Sequence, residues 1–153
     1  MLLLQLANYI SIIPLAIILI LFYNVILYQK CFKLLVIFIL VSFITQLIKT
    51  LPYPNNWYKY TKRPIGACNC DYISMDGDVS NRSGMPSGHV STITFFSIYM
   101  HHKTKDIMYL LLIPATMWAR YYKKCHNLIQ IFMGFNMGLI ASLLSIIKIN
   151  KKI

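Results

Sequence analysis

Residues 2–28, 33–51 and 127–147 each run for nineteen residues or more with charge only at their edges. A helix rises 1.5 Å per residue, so about 20 apolar residues cross a hydrocarbon core ~30 Å thick. Lipid offers backbone amides no partner, and a span of this kind must close its hydrogen bonds on itself as a helix. Two shorter apolar segments, 88–100 and 107–119, fall below that length. They fit either thin spans extended by their flanks or buried helices shielded by the others. Pro14 and Pro114 lie inside spans, where neighbouring helices can satisfy the freed carbonyls.

Only 12% of the 153 residues are charged and 58% are hydrophobic, with a mean hydropathy of +0.59. A soluble domain needs a larger solvated face than that. The 15 Lys and Arg against 4 Asp and Glu sit in short clusters between apolar runs. That layout speaks to topology and anionic headgroups; no nucleic-acid partner is expected. The expected fold class is therefore all-α: a polytopic transmembrane bundle of about five helices, with residues 1–153 as one integral membrane domain. The first apolar run lacks a basic leader and is long for a signal peptide, so it reads as a retained span or an uncleaved signal anchor.

If all five segments cross, the two tight basic turns, 28–33 and 101–106, share a side with the C-terminus. That side holds Lys30, Lys33, Lys103, Lys105, Lys148, Lys151 and Lys152 against Asp106 alone. Positive charge in short loops marks the cytoplasmic face. The long polar loop 52–86, with Asp71, Asp76 and Asp78, is then extracytoplasmic or lumenal, and the C-terminus cytoplasmic.

On the long-loop side lies Pro86-Ser87-Gly88-His89, directly before an apolar helix. Ser87 suits an N-cap, and free amides at a helix N-terminus favour an anion. Gly88 lets an oxyanion come close to the backbone, and His89 titrates near neutrality. Arg63-Pro64 and the turn from Arg120 to His126 stand on the same side. Guanidinium forks suit phosphate oxygens. His126 and Gln130 are four apart on one helix face, where the glutamine carbonyl could accept from Nδ1–H and leave Nε2 free to attack phosphorus.

This ordered set resembles the three-part signature of the phosphatidic acid phosphatase type 2 superfamily: Lys-x6-Arg-Pro, Pro-Ser-Gly-His, and Ser-Arg-x5-His-x3-Asp. Here stand Arg63-Pro64, Pro86-Ser87-Gly88-His89 and Arg120-x5-His126-x3-Gln130, from the second apolar segment onward. The resemblance implies a metal-independent phosphatase without cofactor, acting on lipid phosphate or pyrophosphate monoesters. It assigns His126 as nucleophile through a phosphohistidine, and His89 as the acid that later activates water. Arg63, Ser87, Gly88, Arg120 and a lysine would bind phosphate. The partners it implies are the bilayer and a phospholipid or isoprenoid phosphate.

Three positions depart from the pattern. Asn56 stands where the family lysine would be; Lys49 has the right setting, with Lys59 and Lys62 as rivals. Ala119 replaces the serine before the arginine, and Gln130 replaces the aspartate. A neutral amide can fix a tautomer but cannot neutralise an imidazolium, unless Asp71, Asp76 or Asp78 supplies the charge. The alternative reading is thus a catalytically impaired relative that binds lipid headgroups or serves a structural membrane role. A disulfide from Cys125 to Cys68 or Cys70 would tie the long loop to the His126 turn. Gly134 and Gly138 on the Gln130 face read first as close packing within the bundle, and second as a homo-oligomer contact.

Overall fold

A computed structural model describes residues 2–28, 31–71, 73 and 75–150, with backbone alone at 28 and 148–150. Of the lysines used for orientation, Lys30, Lys151 and Lys152 lie outside the described residues, and Lys148 is described only by its backbone. Among the described residues the chain is all-helical. It forms α1 (Leu2–Tyr28), α2 (Phe32–Thr50), α3 (Tyr58–Thr61), α4 (Gly88–Thr104), α5 (Met108–Tyr122) and α6 (Leu128–Asn150). The expectation of about five helices is corrected to six. The addition, α3, is a single turn continuing a short 3-10 helix at Asn55–Trp57, too brief to leave a periodic trace in sequence.

Local chemistry sets the boundaries. Leu51 is extended (φ −67°, ψ 141°) because Pro52 excludes the helical conformation from the residue before it, and α2 stops there. Lys105 at φ 63° closes α4 by donating its N–H to the His101 carbonyl at 2.8 Å, a left-handed C-terminal turn.

Three helices, α1, α2 and α6, are long and apolar enough to cross a membrane. They carry an outward ring of large apolar side chains, including Leu19, Phe22, Phe43, Leu47, Phe132 and Leu144. α4 is different: it touches all four other long helices, and every residue from Gly88 to Phe95 is buried. Of the two readings for the short segments, α4 takes that of a helix shielded by its neighbours.

Its interior face is small and polar, with Ser91, Thr92, Thr94 and Ser97 wholly buried. Lipid tails are as apolar as leucine, so helices in a bilayer gain little from apolar burial and associate by close packing instead. Gly134 and Gly138 of α6 supply that packing. A Cβ on Gly134 would stand 2.5 Å from the Ser87 carbonyl oxygen, and one on Gly138 would stand 2.3 Å from that of Ser91. Both glycines therefore face α4 of the same chain. An apolar cluster around Phe38, Ile93, Phe95 and Tyr99 fills the rest of the bundle.

Candidate active site

The residues before α4 form a network held by backbone pairing. Arg63 N–H donates to the Arg82 carbonyl at 2.9 Å, and Lys62 bridges Ser83. Cys70 is disulfide-bonded to Cys125, and Cys68 is a free, exposed thiol. The two candidate partners for Cys125 are thus resolved, and the loop is tied to the residue beside His126. Ala67, Cys70, Val79 and Cys125 bury one another beneath the loop.

A cavity of about 430 Å³ opens between this loop and the bundle, lined by Lys49, Arg63, Gly88, His89 and His126. Segments far apart in sequence thereby meet on one wall. Of the three candidate lysines, Lys49 lines this cavity and Lys59 and Lys62 do not. Lys49 reaches the cavity from the end of α2, and a Cβ on Gly88 would sit 3.7 Å from its Nζ. Lys62 Nζ instead lies 4.4 Å over the Tyr58 ring, and Lys59 Nζ lies 4.8 Å over Tyr60. Extra chain between Lys49 and Arg63 is absorbed by the 3-10 helix and α3.

Ser87 occupies the N-cap position of α4, but its side chain makes no capping hydrogen bond. Its Oγ is buried without a hydrogen-bond partner. The expected cap is therefore met in backbone position only, and the hydroxyl stays available beside Gly88. Arg120, fully buried in the last turn of α5, donates from Nη1 to Ser11 Oγ at 3.0 Å and from Nη2 to the Cys70 carbonyl. Sequence reasoning missed Ser11: a serine inside an uncharged span was its one available signal, since polar groups at that depth need partners.

His126 follows a turn in which its own N–H and that of Cys125 both reach the Arg120 carbonyl, at 3.3 and 3.1 Å. Its ring is buried, with Nδ1 3.1 Å from Gln130 Oε1. Burial, then the charges of Arg120, Arg63 and Lys49, push its pKa well below the usual histidine value, and the Gln130 hydrogen bond opposes them. His126 is therefore a neutral imidazole at physiological pH. Burial likewise lowers Arg63, which Asp76 partly offsets, and it pushes Lys123 down to about 8 with help from Arg120.

Asp71 and Asp76 also line the cavity, while Asp78 is exposed. Asp76 Oδ1 accepts from the Cys70 amide and Asp71 Oδ1 from the Met75 amide, so both carboxylates brace the loop. His126 Nδ1 meets Gln130 and neither acid. Ala119 is buried beside Arg120.

A family model described as the PAP2 superfamily matches residues 30–153. The chain belongs to that superfamily. Comparison with curated proteins and with solved structures gives no significant match. Membership together with three membrane-length apolar helices makes this a membrane protein of phosphatase type. The match begins at residue 30, so α1 lies outside it, although Ser11 of α1 holds the buried Arg120.

Proposed function

We propose that the protein is a membrane-embedded, metal-independent phosphatase that hydrolyses lipid phosphate or pyrophosphate monoesters. One observation carries the reading: Lys49, Arg63, Gly88, His89 and His126 line one cavity. In the proposed reaction, neutral His126 attacks phosphorus through Nε2 as the ester P–O bond breaks. His89 gives its proton to the departing alkoxide, then takes one from water as that water displaces His126 and releases phosphate. Lys49, Arg63, Arg120, Ser87 Oγ and the Gly88 amide hold the phosphate oxygens, because positioning and charge dominate phosphoryl transfer. The tight turns with Lys33, Lys103 and Lys105 support a cytoplasmic placement of the opposite end, which puts the site on the extracytoplasmic or lumenal leaflet.

Purified protein in detergent with a chelator should release inorganic phosphate from phosphatidate or a prenyl diphosphate, and His126→Ala should abolish release. Unchanged hydrolysis by His126→Ala would sink the mechanism. Ala119 and Gln130 motivate a second reading, an impaired relative that binds headgroups. It is supported if the wild type binds phosphatidate vesicles without hydrolysis and Gln130→Asp switches hydrolysis on.

A further inference from the structure

Gln130 makes contacts that an aspartate could not reproduce. Its Nε2 donates to two backbone carbonyls, Tyr60 at 2.9 Å and Lys62 at 2.7 Å. Its Oε1 receives the backbone N–H of Asn127 at 3.3 Å and faces His126 Nδ1 at 3.1 Å. Which end of a side-chain amide is oxygen follows from its partners. Here the partners that decide it are backbone groups of fixed polarity, two acceptors on one end and one donor on the other. The oxygen must face the histidine, so Nδ1 must carry the proton and Nε2 the lone pair.

The surroundings match this side chain. Gly84 is buried, and a Cβ there would lie 2.7 Å from Gln130 Oε1 and 2.8 Å from Arg63 Cγ. The Gly84 N–H is anchored on the Thr61 carbonyl at 2.8 Å, so the backbone is held at that close approach. The Gln130 carbonyl in turn accepts the Ser87 N–H at 3.0 Å. One residue thus touches the end of α3 leading into Arg63, the N-terminus of α4 and the His126 ring.

We infer that Gln130, in the space left by Gly84, is a positioning residue that holds His126 in its Nδ1–H tautomer as a neutral orienting group, in place of a carboxylate. This rests on the proposed nucleophilic role of His126 for its catalytic consequence, but not for its structural content. A carboxylate of the same shape would turn an acceptor oxygen toward the Tyr60 and Lys62 carbonyls, and an acceptor facing an acceptor is repelled. Restoring acidity should therefore impair this site.

The test uses full-length protein, labelled with 15N-histidine in detergent micelles, with the His126 signal assigned by loss in His126→Asn. Nitrogen shifts and couplings report which ring nitrogen holds the proton without any substrate. Wild type should show Nδ1–H; the uncharged Gln130→Met, which offers Nδ1 no acceptor, should lose the single tautomer, while Gln130→Glu should be pushed off the Tyr60 and Lys62 carbonyls and leave His126 poorly oriented. Both variants should lower kcat about 10–100-fold with KM little changed, by analogy with the loss seen when the group orienting a metal-bound histidine is removed. Nε2–H in wild type, an undisturbed tautomer in Gln130→Met, or a kcat raised by Gln130→Glu would each overturn the inference. If no substrate is hydrolysed but the tautomer behaves as stated, the orienting role stands and the phosphatase reading falls.

Discussion

Position 126 holds the proposed nucleophile, a histidine with a glutamine rather than a carboxylate at Nδ1 and with cations around it that disfavour its protonation. The consequence is a pH dependence with a definite sign. The unfolded chain would protonate His126 near pH 6.5, and the folded chain only well below that. His126 is protonated only at lower pH than a free imidazole, so the acid limb of kcat/KM assigned to it under the proposed mechanism should lie below the ordinary histidine range. Stability behaves oppositely. Below about pH 6.5 the unfolded state binds the extra proton, so the free energy of unfolding, and with it stability, should fall as pH drops. His126→Gln should flatten the part of the decline due to this residue, measured as Tm from pH 7.5 to 5. An acid limb at or above 6.5 in the wild type that is unchanged in His89 and Gln130 variants would count against the assignment. Ser87 gives a prediction of another kind. Its buried hydroxyl has no partner in the protein alone, so Ser87→Ala should leave Tm unchanged or higher while weakening turnover. A matched loss of both would mean that the hydroxyl is structural.

Between elements, the contact that fixes the site is α4 against α6, because Gly134 packs on Ser87 and Gly138 packs on Ser91 and Thr94. Gly138→Ala would force a Cβ to 2.3 Å from a backbone oxygen, which no rotamer change relieves. We expect a cost of about 1–3 kcal/mol, typical of an overpacked interior, seen as a lower Tm and reduced activity together. An unaltered Tm would show that the helices can part without penalty. The long helices were legible from apolar length alone, and so was the meeting of Arg63, His89 and His126, since motif order places all three at one end. The burial of α4 was legible only as one of two alternatives. Its apolar run is interrupted by Ser91, Thr92, Thr94 and Ser97, which look like a polar face, yet all four are buried. The disulfide partner was ambiguous for a similar reason. Cys68 and Cys70 are two residues apart, and only the fold of the loop turns Cys70 inward and Cys68 outward. Gly84 carried no signal in sequence, because its role depends on a side chain 46 positions away in an interface that sequence does not display.

At the scale of the molecule, the two ends differ in chemistry. Cys31, Phe32, Lys33, Tyr99, Lys103 and Thr104 line one cavity, so the start of α2 and the end of α4 lie together at the end remote from Lys49 and Gly88. Both free cysteines are exposed, Cys31 in the tight turn before α2 and Cys68 in the long loop. The 19 residues of α2 separate the Cys31 turn from the loop by about 28 Å of helix rise. In the proposed topology the chain carries one free thiol for each side of the membrane. In sealed cells or vesicles of native orientation, a membrane-impermeant maleimide applied outside should label Cys68 and spare Cys31 until the membrane is opened. Cys68→Ser should abolish the outside signal, and Cys31→Ser should leave it unchanged. Reduction followed by unfolding should add label at Cys70 and Cys125, which are disulfide-bonded and buried in the folded protein. Labelling of Cys31 from outside with Cys68 protected would invert the bundle, place the phosphate cavity on the cytoplasmic leaflet, and restrict its substrates to lipids made there. Equal labelling of both before permeabilisation would mean that the helices do not separate the two loops, and the spanning arrangement itself would fail.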